Sequence, residues 1–569
     1  MLFHDLILYG LFLAFLLLLT KPLGVYLYRI FLSDKALPSF LITIENIIGK
    51  FCGIKLSKEQ TAKQYALSIL VFSFICFLFV FLILVFQGVL PLNPQNVKQM
   101  PLAQSINTAV SFMTNTNWQS YAGESSVSYF SQMVGLSVQN FLSAAVGLCV
   151  AIVFMRAIVR DQKKTLGNFW QDLIKSTIYV FLPVSILLAV VYIIQGIPQN
   201  FLHCIHTLGF GEGGQLIPQG PIASQEAIKS LGTNGGGFFN ANSAHPYENP
   251  TILTSFLQSL SIFLIPAALT YTFGRALKKQ AQGWFIFIIM SILFIIGLMV
   301  MTLSELYGAN IYQHLPIADL YHQSHHIANF EGKEVRFGIG NSVLYNNVST
   351  AASDGGVNSM LDSFTPMGAM VAMINMSLGE IIFGGVGAGF YGFMLFFILS
   401  VFIGSLMIGR IPEVFGKRLA AIEMRWVIIA LLASPCGVLI FSSLTFLFGF
   451  QIGNLTNSGA HGFSEVLYAF ISASNNNGSS FSGLNANTIW FNLTTSIAML
   501  IGRFGTILPV IALAGILVLK PTKKAKDTIE LSTISPVFGV LVIMCILVIG
   551  GLTIFPALAL GPIADQLSI

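Results

Sequence analysis

Long apolar runs alternate along this chain with short polar segments, and the lengths of the runs predict most of the architecture. A hydrocarbon core of about 30 Å takes about 20 apolar residues as one helical crossing. On that measure the pattern predicts spans near 3–20, 66–90, 130–155, 177–197, 252–273, 284–304, 366–409, 427–450, 490–518 and 535–558. The seventh run is about twice the length that one crossing needs. It contains Gly384-Gly385-Val386-Gly387-Ala388-Gly389, so a broken helix with an unwound middle is expected there. Ten crossings result.

Four of the polar segments share one composition: Thr114-Asn115-Thr116-Asn117, Thr233-Asn234-Gly235-Gly236, Ser353-Asp354-Gly355-Gly356 and Asn476-Asn477-Gly478-Ser479. Their third residues, Thr116, Gly235, Gly355 and Gly478, lie 119, 120 and 123 positions apart, which is an internal repeat. Ahead of them lie stretches near 103–113, 223–231, 342–351 and 463–472, long enough for a short helix and too short to cross. The expected unit is therefore helix, re-entrant loop, helix. The fold class predicted is an all-α polytopic membrane protein, with four such repeats around a pseudo-fourfold axis and one extra span at each end. The segments are 1–65 (first span and inner loop), 66–165, 166–280, 281–425 and 426–526 (the repeats, the third holding the broken helix) and 527–569 (last span).

Composition agrees. The chain of 569 residues is 55% hydrophobic and 9% charged, against about 25% charged in an ordinary soluble protein. The first run has no basic n-region and no small-residue cleavage site, so it reads as a retained helix rather than a signal peptide. Of the 28 Lys and Arg, only Lys98, Lys229, Lys333, Arg336 and Arg503 fall outside the connections after spans one, three, five, seven and nine. By the positive-inside rule those connections face the cytoplasm, and both termini and all four polar loops face outward. The net charge of +5 then reports topology, and no nucleic-acid partner is expected. Cys52, Cys76, Cys149, Cys204, Cys436 and Cys545 show no CxxC spacing, and no disulfide is expected. His314, His322, His325 and His326 gather in an outward loop, read as solvated rather than as a metal site. No GxxxxGK[ST] phosphate loop occurs, and no inward loop exceeds roughly 45 residues. ATP is thus expected to be used only by another subunit, or not at all.

Non-helical backbone at membrane depth survives only where it is buried in protein or lines an aqueous path. Four convergent loops would let backbone carbonyls replace the water shell of K⁺, and half-helices aimed at them would present partly negative C-termini to the cation. Glycine at the third position of three loops is expected to supply the φ > 0 that inward-facing carbonyls demand. Asp354 either strengthens the cation site or turns away to bond backbone N–H groups. Arg503 lies in an otherwise uncharged span, where an isolated cation costs about 2.5–3.5 kcal/mol, and is expected to face the aqueous interior beneath the loops. Glu380, just ahead of the glycine cluster, is its candidate partner. Glu226, Asp319, Glu331, Glu334 and Asp362 read as solvated outward-loop residues.

The runs Thr114 to Tyr121, Leu231 to Ser243 and Ser474 to Ser479, with Gly502-Arg503-Phe504, resemble the potassium-binding subunits of Kdp-type potassium-transporting ATPases. The resemblance covers essentially the whole chain. It implies a bacterial inner-membrane subunit that captures K⁺ from the periplasm, binds no prosthetic group, and works with a P-type ATPase subunit, a single-span subunit and a small membrane peptide among membrane lipids. It also implies that K⁺ leaves the filter sideways through an intersubunit tunnel. Carried over, the filter comprises Asn115, Thr116, Asn117, Thr233, Asn234, Gly235, Ser353, Asp354, Gly355, Asn476, Asn477 and Gly478. Gln119 is expected to support affinity and selectivity, while Arg503, Glu380, Gly384, Gly385, Gly387 and Gly389 gate or couple. The family often has Cys where this chain has Asp354. The competing expectations are a stand-alone K⁺ channel or symporter of the same four-repeat superfamily, and a membrane scaffold without transport.

Overall fold

The computed structural model describes residues 2–33, 39–51, 53–207, 215–308, 328–522 and 532–568. Ten of its helices are long and apolar enough to cross a membrane: Leu2–Phe31, Ala62–Val89, Ser131–Val159, Phe169–Ile194, Ile252–Ala276, Gln280–Tyr307, Ala388–Met407, Ala421–Leu447, Ile489–Leu519 and Pro536–Ser568. The histidine cluster and Asp319 lie outside the described residues.

Polar residues set the starts of several spans. Thr61 accepts from the Gln64 N–H while the Gln64 side chain accepts from the Thr61 N–H, and Thr251 and Thr254 repeat the arrangement. Thr488 caps the Phe491 N–H at 3.2 Å. Three boundaries differ from the sequence reading, one of them the end of the last span, which runs ten residues past 558 to Ser568. The first helix runs on through Lys21 and Pro22 to Phe31, and the fourth begins at Phe169, where Asn168 caps the Trp170 and Gln171 N–H groups. The basic connection after span one also folds in part, as the helix Ser39–Phe51. Two short antiparallel ribbons, Ile205–Thr207 with Gln215–Ile217 and Glu413–Val414 with Lys417–Arg418, interrupt the otherwise helical chain.

Four short helices enter between pairs of spans: Leu102–Met113, Ile222–Leu231, Gly338–Ala351 and Gly459–Asn475. In each pair the span after the short helix is the more buried one. The shares are 89% against 33%, 72% against 28%, 72% against 50%, and 56% against 28%. The later spans therefore form an inner ring around the short helices, and the earlier ones face outward. The first span, only 17% buried, lies along the fifth, where Thr272 Oγ1 donates to the Gly24 carbonyl at 3.1 Å. On the basic side Lys417 Nζ donates to the carbonyls of Ala157, Arg160 and Leu517 at 2.7–2.8 Å, tying the ends of the third and ninth spans together.

The long apolar run of the third repeat is broken as its length implied. Thr365 caps a first half, Pro366–Ser377, and a second half resumes at Ala388. Between them, Gly379, Glu380, Phe383, Gly384 and Gly387 all have positive φ, so no helical hydrogen-bond ladder can continue through the segment.

Candidate functional site

The four short helices end the same way. The N–H of Thr116, Asn234, Asp354 and Asn477 bonds the carbonyl five residues back, on Ser111, Lys229, Ser349 and Ser472, at 2.9–3.2 Å. The residue before each, Asn115, Thr233, Ser353 and Asn476, is left-handed with φ between 49° and 66°. This is the Schellman ending, repeated four times. It corrects the sequence reading twice. The left-handed position common to all four loops is the first of each triplet and is never glycine. Moreover, Thr116 aligns with Asn234, so Asn117 rather than Thr116 stands opposite Gly235, Gly355 and Gly478.

The loops close into a ring. Asn115 Nδ2 donates to the Thr233 carbonyl at 2.8 Å, and Asn234 Nδ2 donates to Asn115 Oδ1 at 2.7 Å, joining loops one and two. Loops two and three touch through glycine: a Cβ on Gly235 would stand 1.8 Å from the Gly355 nitrogen. Ser353 Oγ donates to the Asn476 carbonyl at 3.2 Å and Asn477 Nδ2 to the Ser349 carbonyl at 3.2 Å, joining three and four. Asn476 Nδ2 donates to Thr116 Oγ1 at 2.9 Å, and a Cβ on Gly478 would meet the Thr116 carbonyl at 2.0 Å, which closes four onto one. Glycine at the third position thus serves close approach of neighbouring loops, and of the three only Gly235 and Gly478 take the expected positive φ, at 83° and 105°.

Asp354 is fully buried and bonds backbone: its Oδ1 accepts from the Gly356 N–H at 2.7 Å, just as Asn477 Oδ1 accepts from Ser479 N–H at 3.1 Å. Of the two roles left open for this carboxylate, the loop-shaping one is occupied. Gln119 clamps the second loop, accepting from the Gly237 N–H at 3.1 Å and donating to its carbonyl at 3.3 Å.

The unwound segment of the third repeat lies directly against the ring. The Val386 N–H donates to Thr233 Oγ1 at 3.0 Å, a Cβ on Gly385 would meet Ser353 Cβ at 2.7 Å, and Glu380 lines one cavity wall with Ser353 and Asn476. Gly384 and Gly389 pack backbone on backbone within the segment, and Gly387 packs on Gly147 of the third span. Arg503 is buried and lines the cavity beneath the loops, but makes no ion pair with Glu380. Its Nη2 donates to the Ser143 carbonyl at 2.8 Å, and Ser143 Oγ in turn donates to Asn115 Oδ1 at 2.8 Å. The Glu380 carboxyl lines the same cavity, with Oε1 buried and without a hydrogen-bond partner among the described residues, while the guanidinium goes to a helix carbonyl.

A cavity sits on each side of the ring. One, of about 270 Å³, is lined by Trp118, Gln119, Asn240, Phe481 and Asn485, all beyond the loops. The other, of about 90 Å³, is lined by Ser353, Glu380, Tyr391, Asn476 and Arg503, and its wall continues to Ile549 and Thr553 of the last span.

Two acidic residues, Glu226 and Asp362, depart from their expected solvated role. Glu226 is buried against Lys229, 2.8 Å away, with Glu248 on the other side of the same ammonium at 2.8 Å; the sequence carries no signal of this burial because a lone Lys in a short polar helix reads as surface. Glu334 stays solvated as expected, its side chain 43% exposed and paired with Arg336 at 3.3 Å. Asp362 accepts from His461, whose two nitrogens bridge Asp362 at 3.0 Å and Asp565 at 2.9 Å, joining the fourth short helix to the third repeat and the last span. Asp362, His461 and Glu465 bring one ligand atom each within 4.8 Å, yet both ring nitrogens are already engaged by carboxylates. The hydrogen bond that His461 donates to Asp362, then that to Asp565, pushes its pKa up to about 10. A His raised from its ordinary value of about 6.5 stabilises the fold fully below that value, and the stabilisation drains away as pH climbs through the raised one. The thermal midpoint should accordingly fall more steeply between about pH 7 and pH 10 in the wild type than in His461→Gln. Parallel pH profiles for the two proteins would show that the bridge contributes nothing.

Four re-entrant loops closed around one axis, between two cavities and inside a ring of spans, define a polytopic membrane protein of the four-repeat ion-transporter class. The solved potassium transporter TrkH from Vibrio parahaemolyticus shares this fold, with a TM-score of 0.50 over 90% of this chain and 98% of that one at 12% identity. The family described as potassium-transporting ATPase A subunit matches residues 10–567, and this chain belongs to it. Proteins named potassium-transporting ATPase potassium-binding subunit are similar throughout. The one from Francisella philomiragia subsp. philomiragia is 56% identical over 568 residues, covering 100% of this chain and 99% of its own length. That from Francisella tularensis subsp. novicida is 57% identical with 99% of both covered, and that from Rhizobium rhizogenes is 46% identical with 98% and 97% covered.

Proposed function

We propose that this chain captures K⁺ at the loop side of a bacterial inner membrane and selects it in the ring of four loops. The ion then passes to a partner P-type ATPase subunit, which supplies the energy of ATP hydrolysis. The observation that carries the reading is the fourfold recurrence of the helix ending. Each short helix stops at the ring with its last carbonyls directed along its axis toward the loops, so four partly negative ends converge on one small volume. The filter consists of the twelve residues Asn115 to Asn117, Thr233 to Gly235, Ser353 to Gly355 and Asn476 to Gly478. Their carbonyl oxygens stand in for water, and the side-chain bonds between loops hold the ring at one diameter. The backbone role of Asp354 keeps its carboxylate shaping the loop rather than lining the ion path, which suits a site that must release its ion.

Beneath the ring, the unwound segment with Glu380, Gly384, Gly385, Gly387 and Gly389 gates the cavity, and Arg503 keeps the ion from settling in it. The cavity wall reaches the last span, which supports a lateral exit toward the catalytic partner, with the single-span subunit and the small membrane peptide completing the assembly. Both termini then lie in the periplasm. ATP hydrolysis belongs to the partner, and this chain itself is not catalytic.

Rubidium uptake into vesicles tests the division of labour. Vesicles carrying the whole complex should accumulate Rb⁺ on addition of ATP, and vesicles carrying this chain alone should not. Robust flux from this chain alone would favour the stand-alone channel or symporter and overturn the pump-subunit reading.

A further inference from the structure

Lys229 is fully buried in the last turn of the second short helix, a position in which lysine is almost never found unless it is paired. Its ammonium donates to Glu226 Oε2 at 2.8 Å, Glu248 Oε2 at 2.8 Å, Ser243 Oγ at 2.9 Å and Asn242 Oδ1 at 2.6 Å. The last contact leads to the ring: Asn242 Nδ2 donates to the Gly235 carbonyl at 2.6 Å. One amide therefore couples the ammonium to a filter oxygen, and a charged partner on Oδ1 polarises the amide and strengthens its bond on the other side.

The same cluster holds the rest of the descending limb of loop two. Glu248 Oε1 accepts from the Phe239 N–H at 2.8 Å, Ser243 Oγ donates to Glu226 Oε1 at 3.3 Å, and Tyr345 of the third short helix donates its hydroxyl to Ser243 Oγ at 3.0 Å. On its other flank the lysine stem lies against loop three, where a Cβ on Gly356 would stand 3.6 Å from Lys229 Cε. An internal cation is thus placed behind the two loops that touch through Gly235 and Gly355. Burying two carboxylates and an ammonium is costly, and packing alone is served as well by apolar residues of similar volume, so the cluster calls for a role other than stability.

We propose that Lys229 is a specificity-determining positioning residue: a fixed cation that, through Asn242, sets the aim and the electron density of the Gly235 carbonyl toward the transported ion. It touches no transported ion itself. The proposal rests on the filter reading above. A weakly aimed carbonyl widens the ring at one corner, and the ring then discriminates less between K⁺ and the smaller Na⁺.

Uptake of Rb⁺ by the assembled complex, with K⁺ and Na⁺ as competitors, tests it. Lys229→Gln should raise the half-saturating K⁺ concentration about tenfold or more and narrow the K⁺ over Na⁺ preference by a similar factor, with Lys229→Arg intermediate. Asn242→Asp, which keeps an acceptor for Lys229 and removes the donor to Gly235, should produce the same narrowing. In the double variant Lys229→Gln with Asn242→Asp, the second change should add little to the first. If Lys229→Gln fails to assemble, the Asn242→Asp comparison alone decides. A lowered yield or maximal rate with the K⁺ to Na⁺ ratio unchanged would overturn the proposal and leave Lys229 a packing residue. A wild-type complex showing no K⁺ preference would instead sink the filter reading itself.

Discussion

Gly235→Asp should abolish discrimination between K⁺ and Na⁺ in the assembled complex and raise the half-saturating K⁺ concentration by about 100-fold or more. At φ +83° a side chain is strained before any neighbour is considered. The neighbours then forbid it, because the first carbon of any side chain would stand 1.8 Å from the Gly355 nitrogen and 2.3 Å from its Cα. Both atoms are backbone of the adjacent filter loop, so no rotamer change relieves the clash, and loops two and three must part. A displaced carbonyl corner and an added carboxylate each act on the ion directly. Losing about 3 kcal/mol of ion stabilisation corresponds to about two orders of magnitude in affinity. Gly10→Ala, where nothing lies within 4 Å of the new carbon, should be silent and serves as the control. Selective Rb⁺ over Na⁺ uptake at unchanged half-saturation in Gly235→Asp would remove Gly235 from the filter.

Much of this site was readable from the residues because membrane depth leaves few uses for a polar, glycine-bearing loop. Repetition of Thr-Asn-Gly and Asn-Asn-Gly at near-equal spacing located the ring and the short helices before it. The long glycine-interrupted run likewise exposed the break between Ser377 and Ala388. What composition hid was conformation. Glycine attracted the expectation of positive φ, which holds at Gly235 and Gly478 but not at Gly355, while the left-handed position shared by all four loops is filled by Asn115, Thr233, Ser353 and Asn476, each held by the helix ending rather than by an intrinsic preference. Thr233, β-branched and at φ 49°, is the extreme case, and its hydroxyl accepts from the unwound segment. Charge pairing was hidden too, since the partners are far apart in sequence: Lys333 with Glu305, His461 with Asp565, and Arg503 with a carbonyl 360 residues away rather than with Glu380. Sequence distance carries no information about such pairs, and burial of Lys229 only shows once the second loop is folded over it.

Arg503→Ala should lower the turnover of ATP-driven Rb⁺ uptake about tenfold while leaving expression and assembly within about twofold. Arg503 forms part of the wall of the cavity beneath the ring, and among the described residues its one side-chain bond is to the Ser143 carbonyl at 2.8 Å. Removing it costs a single charge-assisted bond in a helix that is otherwise tightly packed, as Gly502 is against the Ser474 carbonyl. Its electrostatic effect is the larger one. At separations on the order of 10 Å and an effective dielectric near 20, a fixed positive charge raises the energy of a cation by about 1–2 kcal/mol. With Glu380 fixed just under the ring, a cation in a cavity stripped of that charge would settle more deeply and leave more slowly. The expected signature is a reduced maximal rate with half-saturating K⁺ unchanged or lower, together with partial recovery in Arg503→Lys, which keeps the charge but loses the planar fork. Kinetics and quantitative immunodetection of the assembled complex separate the outcomes. A fall in assembled protein that accounts for the whole loss of flux would assign Arg503 to packing, whereas a rate deficit per assembled complex assigns it to keeping the ion in motion.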